Sequence, residues 1–243
     1  MMAVTKNKIE SNLQRIRENI AAACGRSGRL PQEVSIVAVT KSTDLEGIKA
    51  LIDAGLTELA ESRVQRVTER AAEVAAYLQR RRTPPAAPVR WHMVGHLQRN
   101  KVKTVLDVAE VIHSVDSLRL AEEINIRAER AGRTMDVMLQ VNCSEEKQKF
   151  GCPVGAATHL AELICTLKSL RLIGLMTMAP LVRNPQDARP AFVRLRELFD
   201  EMQKDKIGGA DFRHLSMGMT QDYPVAVEEG ATILRIGTAL LQP

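Results

Sequence analysis

Ser35-Ile36-Val37-Ala38-Val39-Thr40-Lys41 is a short apolar run that stops abruptly on a lysine. With no polar residue between Ser35 and Thr40, it describes a strand buried on both faces, as in a parallel sheet covered by helices. The strand is read over Val34–Thr40, and comparable runs recur at Glu58–Glu61, Arg90–Gly95, Val111–Asp116, Met135–Asn142, Leu170–Met178, Phe212–Gly218 and Ala231–Thr238. Between them, apolar residues fall at i, i+3, i+4 spacing over Leu45–Ala54, Val64–Leu78, Leu118–Ala131, Val154–Leu167, Ala188–Lys204 and Gln221–Glu229, the period of amphipathic helices. This alternation predicts βα units, and eight strand candidates suit a closed barrel better than an open sheet. The expected fold class is α/β, a single (β/α)8 TIM-type barrel domain over residues 1–243.

Outside the repeating units, Ile9, Leu13, Ile16 and Ile20 lie at helical spacing, so Lys6–Cys24 reads as an extra helix packed on the barrel and ended by Gly25, Gly28 and Pro31. Thr83-Pro84-Pro85-Ala86-Ala87-Pro88 can neither continue a helix nor enter a central strand, which makes it a surface connection. A chain of 243 residues with 45% hydrophobic content can bury a large core.

The net charge of +5 does not point to nucleic acid. Its basic residues are interleaved with acids, and Arg63–Arg70 reads as a solvated helix face. The run Arg80-Arg81-Arg82 reads as cations at a helix C-terminus, and 3% aromatic content leaves few stacking platforms for single strands. Cys24, Cys143, Cys152 and Cys165 have neither C-x-x-C pairing nor a histidine at ligand spacing, so they are expected to be reduced, mostly buried thiols rather than a metal or disulfide framework. No stretch approaches the ~20 apolar residues of a membrane span. A monomer in the cytoplasm is the expectation.

In a parallel barrel, chemistry gathers where the strands end at their C-termini. Lys41 stands there, at a mouth expected to be short of water, where desolvation would favour the neutral amine that attacks an aldehyde. A solvated lysine near the next helix is the other reading. Two distant loops bear on the choice. Leu215-Ser216-Met217-Gly218-Met219-Thr220 follows the seventh strand and Arg235-Ile236-Gly237-Thr238 ends the eighth, the positions where barrels frequently bind phosphate. Gly218 and Gly237 allow close backbone approach, Ser216 and Thr238 carry hydroxyls, and Arg235 offers a fork of charged donors. A lysine and a phosphate cradle at one mouth together match pyridoxal 5′-phosphate (PLP).

The same segments, Val37–Lys41, Trp91–Lys101, Gly174–Met178, His214–Met219 and Arg235–Ala239, resemble in order the pyridoxal phosphate homeostasis protein family over nearly the whole chain. The resemblance implies a barrel like the N-terminal domain of alanine racemase. Lys41 would hold PLP as a Schiff base, and Ser216, Gly218, Arg235, Gly237 and Thr238 would be its contacts, with Arg235 facing either the phosphate or the pyridine nitrogen. Three departures stand out. Ala60-Glu61-Ser62 replaces the family's Gly-Glu-Asn, making Ser62 a shorter contact; Thr220 stands where Ser is common; and Leu241-Gln242-Pro243 stands where Phe-Gly usually follows.

His92 reads as a satisfied interior histidine, whereas His96, with Asn100 and Lys101, is a candidate cofactor contact beyond a strand end. Met176 and Met178 are expected to fill the core, and Lys147 and Lys149 to lie in a solvated loop. Racemisation of an amino acid needs a second acid or base opposite the lysine, for which only Tyr77 and Tyr223 are available as tyrosines. The functional expectation is therefore a PLP carrier that serves vitamin B6 homeostasis, with apo PLP-dependent enzymes as the candidate recipients and no catalytic or metal-binding residue assigned. A weak racemase and a barrel holding a phosphorylated metabolite without a Schiff base are the alternatives.

Overall fold

A computed structural model describes residues 5–242. Eight parallel strands close in sequence order: β1 Ser35–Val39, β2 Glu58–Glu61, β3 Arg90–Met93, β4 Val111–Val115, β5 Met135–Gln140, β6 Leu170–Met176, β7 His214–Ser216 and β8 Ile233–Ile236. Closure is made by β1 and β8, in register from Ser35 opposite Ile233 to Ala38 opposite Ile236. The expected eight-stranded barrel is therefore present.

The helices are α1 Lys6–Ser27, α2 Leu45–Asp53, α3 Val64–Arg80, α4 Val102–Leu106, α5 Leu118–Arg130, α6 Val154–Cys165, α7 Arg189–Lys204, α8 Tyr223–Glu228 and α9 Thr238–Leu241. The extra helix α1 buries Ile9, Leu13, Ile16 and Ile20, its predicted apolar stripe, and ends at Gly28 in the left-handed conformation with φ of 68°. Entry to α2 is fixed by Asp44, whose carboxylate accepts from the Gly47 N–H at 3.0 Å.

Alternation along each strand separates two apolar layers. Leu59, Met93, Ile112, Val137 and Leu215 face the helices in the larger cluster. Val37, Val39, Ala60, Val111, Met138, Ile173, Met176 and Ile233 fill the barrel's interior. Barrel interiors of this size are packed with side chains rather than open.

Several boundaries differ from the sequence reading. Strand β7 spans three residues, not Phe212–Gly218, because Gly218 turns the chain with φ of 91°. Strand β8 neither begins at Ala231, whose N–H returns to Ala226 O, nor reaches Thr238, which starts α9. Helix α8 starts at Tyr223 rather than Gln221, with proline in its first turn. Met178 lies past β6 and is 42% exposed, so Met176 fills the core and Met178 does not. The short α4 has too few residues for a period to be read. Pro243, the last residue of the departure from the family pattern, lies outside the described residues.

Candidate functional site

Three of the expected residues lie at or just beyond the carboxyl ends of β1, β7 and β8. Lys41 sits in the turn two residues beyond Val39, continuing the inward alternation of Val37 and Val39. Its turn is held from α3, where Arg66 Nη1 donates to the Lys41 carbonyl at 2.7 Å and Arg70 Nη2 to the Thr43 carbonyl at 2.9 Å. Sequence reading assigned these arginines to a solvated face, and that is corrected for both. The expected scarcity of water is corrected too: Lys41 is exposed.

Ser216 and Arg235 are buried side by side. Arg235 Nη1 donates to Ser216 Oγ at 2.6 Å and Nη2 to the Thr177 carbonyl at 2.8 Å. Neither partner is a carboxylate. Desolvation lowers the guanidinium to about 10, and the charge of nearby Asp222 offsets this only in part. A cation so placed is suited to a further acceptor or anion.

Glycine is required where the backbone must come close. A Cβ on Gly218 would stand 2.6 Å from Ala226 Cβ at a φ few other residues adopt, and one on Gly237 would stand 3.2 Å from the Val39 carbonyl of β1. The strand-seven and strand-eight loops are also tied together, since the Ala239 N–H donates to Thr220 Oγ1 at 3.1 Å. Asp222 braces the first loop by accepting from the Met219 N–H at 2.6 Å. Thr238 is exposed on the outer turn of this pair of loops.

The remaining expected residues lie on neighbouring strand ends. Ser62 follows β2 and is partly buried. His96 is more open; its ring stacks on Phe150 with centroids 3.9 Å apart, and its Nδ1 lies 3.6 Å from Asp116. Tyr223 is turned elsewhere, with its hydroxyl receiving the Asn19 Nδ2–H of α1 at 2.7 Å.

Sequence reading missed a line of polar groups below this mouth. His113 Nδ1 lies 2.9 Å from Ser216 Oγ, His113 Nε2 2.8 Å from His92 Nδ1, and His92 Nε2 2.5 Å from Glu58 Oε2. His92 is the satisfied interior histidine that was expected. Burial first, then the charges of His92, Arg235 and His214, holds His113 well below the usual imidazole range. Glu61 was also missed as a buried group. Its Oε1 receives the Thr40 hydroxyl at 2.6 Å, while Oε2 has no partner among the described residues.

A cavity of about 290 Å³ opens at the opposite, amino end of the barrel, where Ser35, Glu58, Arg90, Asp136, Arg171 and His214 contribute to its wall. Among the described residues no helix is long and apolar enough to cross a membrane.

The sequence pattern of the alanine racemase N-terminal domain matches residues 11–242. The pyridoxal phosphate homeostasis protein of Aquifex aeolicus is 38% identical over 94% of this chain and 95% of its own length. That of Escherichia coli K12 is 32% identical over 96% of each. Among solved structures, PipY of Synechococcus elongatus, a structure with PLP bound, superposes with a TM-score of 0.80 at 30% identity, covering 96% of this chain and 99% of that one. Alanine racemase of Clostridium difficile superposes at 0.71 with 14% identity over 96% of this chain and 57% of its own, a likeness of fold.

Proposed function

Since this chain belongs to the alanine racemase N-terminal domain family and to the pyridoxal phosphate homeostasis proteins within it, we propose that it is a PLP carrier working in vitamin B6 homeostasis. The observation that carries the reading is the buried Arg235–Ser216 pair, a cation with no carboxylate within ion-pair distance among the described residues, near the strand ends that also carry Lys41. These residues fit the cofactor. PLP supplies an aldehyde for an amine and a phosphate for a set of donors. In this reading Lys41 holds PLP as a Schiff base; Ser216, Gly218, Gly237 and Thr238 receive its phosphate, with Arg235 beside it. Ser62 and His96 flank the ring.

Exposure of Lys41 suits a carrier, since its amine can be reached and released from solvent. Racemisation needs an acid or base opposite the lysine, and the Tyr223 hydroxyl is engaged with α1. We extend the proposal to a monomer that hands PLP to apo-enzymes in the cytoplasm.

Incubation of the purified protein with PLP tests the assignment. A yellow protein is expected, with borohydride fixing the cofactor to the peptide containing Lys41. Lys41→Ala should bind PLP more weakly and without the covalent link; a fixed adduct on another lysine would sink the assignment. Sustained turnover of a single-enantiomer amino acid by loaded protein would replace the carrier reading with the racemase one.

A further inference from the structure

We propose that Glu58, His92, His113 and Ser216 form a proton relay that stores, on the Glu58–His92 pair at the amino end of the barrel, a proton taken up when a phosphate monoester binds at the carboxyl end. The proposal rests on the phosphate-binding reading of that mouth and adds a second, protonic site to it.

Four contacts join the line, and the relay takes both imidazoles as neutral before a phosphate binds. Glu58 Oε2 lies 2.5 Å from His92 Nε2, and Arg90, 3.5 Å from the other Glu58 oxygen, favours the carboxylate. A carboxylate only accepts, so His92 Nε2 carries a hydrogen. With His92 neutral, its Nδ1 is bare and must receive His113 Nε2–H across 2.8 Å. The remaining His113 nitrogen, Nδ1, then receives the Ser216 hydroxyl across 2.9 Å. Ser216 Oγ in turn accepts from Arg235 Nη1 at 2.6 Å. In this state the Ser216 hydrogen points down the barrel, and a phosphate above it would meet only lone pairs.

One extra proton reverses the line. A phosphate monoester arriving with one acidic hydrogen passes it to Ser216 Oγ; the Ser216 hydrogen passes to His113 Nδ1; the hydrogen on His113 Nε2 passes to His92 Nδ1. Three bonds to hydrogen break and three form. The phosphate is left as its dianion, accepting from a Ser216 hydroxyl that now points toward it. Positive charge rests on His92 against the Glu58 carboxylate. The two hops beyond Ser216 occur inside hydrogen bonds the structure already contains. A phosphate that arrives as the dianion draws the same proton from solvent.

The environment of each ring suits its part. Burial above all, with the charge of Arg235 nearby, keeps His113 neutral, so it passes the proton on. The Glu58–His92 pair shares its cavity with Arg90 on β3, Asp136 on β5, Arg171 on β6, Asp211 and Arg213 before β7 and His214 on β7, and meets Arg235 on β8 through His113. Beside the pair lies the 290 Å³ cavity of the amino end.

The test uses the whole protein labelled with 15N-histidine, with long-range NMR correlations reporting which ring nitrogen carries hydrogen. The five histidines are told apart by the signals lost in His92→Asn and His113→Asn. In the free protein at mildly alkaline pH, both rings should be Nε2–H. Saturation with inorganic phosphate, or with 4′-deoxypyridoxine 5′-phosphate, which lacks the aldehyde, should switch His113 to Nδ1–H and His92 to the doubly protonated form. Calorimetry in two buffers of different ionisation enthalpy should count about one proton taken up per 4′-deoxypyridoxine 5′-phosphate above the monoester's second pKa of ~6, falling to near zero in His113→Asn. His113 remaining Nε2–H at saturation, or already Nδ1–H in the free protein, would overturn the relay, as would failure of both anions to bind. A switch with inorganic phosphate in a protein that takes up no PLP would instead leave the relay standing and remove the cofactor reading.

Discussion

The two ends of the barrel are built from the same strands and comparable residues, yet they treat charge in opposite ways. At the amino end, Arg90 lies 3.5 Å from Glu58, 3.0 Å from Glu110 and 4.0 Å from Asp136, and Arg171 lies 2.6 Å from Asp136. Every cation named there has an acid beside it. At the carboxyl end, Arg235 is 5% exposed and donates to a hydroxyl and a carbonyl. At the first end the named cations are paired; at the second, Arg235 has no carboxylate within ion-pair distance among the described residues, and the proposed reading gives it a phosphate from outside. The 290 Å³ cavity lies at the end whose named cations are paired.

The largest expected effect comes from removing the unmatched cation. Arg235→Gln should weaken PLP retention by roughly 30- to 100-fold, about 2–3 kcal/mol for lost charged hydrogen bonds, while circular dichroism stays that of the wild type. Retention equal to wild type would erase the contrast between the ends. Gly218→Ala should follow, losing about 1–3 kcal/mol of stability to a crowded, strained backbone and releasing PLP faster; an unchanged melting temperature would show that the loop yields.

Acid provides the next contrast. Burial raises the Glu58 carboxyl, but the hydrogen bonds and charges of His92 and Arg90 outweigh it and leave the group below its ordinary value. Its contribution is therefore complete above the unfolded value of about 4.3 and is lost as pH falls through the lower folded one. Thermal melts of Glu58→Gln should lose stability least at the acid end of that range; a curve parallel to wild type would contradict the ion pair. Arg66→Ala, which frees the Lys41 carbonyl, should slow formation of the Lys41 link a few-fold, read from the rate of yellowing. Smallest of all, Arg171→Ala on the exposed amino rim should change stability by about 0.5 kcal/mol or less and PLP binding not at all.

The barrel was legible because strands buried on both faces read as continuous apolar runs and the intervening helices kept a steady period. Boundaries failed where a single glycine or proline decides the geometry, as at Gly218 after β7 and at the start of α8. At the mouth, Lys41, Ser216 and Arg235 stood out as polar residues ending apolar strands. His113 did not, because it sits inside the run Val111–Val115, and its partners lie 21 and 103 residues away. A histidine at an inward position of an otherwise apolar strand was the available signal. The setting of Lys41 was misread for a related reason: its turn is held by arginines from α3, and no pattern local to Lys41 encodes that support.

A structure of the PLP-loaded protein tests the contrast between the two ends most directly, through the position of one phosphate. The phosphate is predicted at the carboxyl mouth, within hydrogen-bond reach of Ser216 and the loops at Gly218 and Gly237, with the ring joined to Lys41. A phosphate bound instead in the amino-end cavity beside Arg90 and Arg171 would contradict the account.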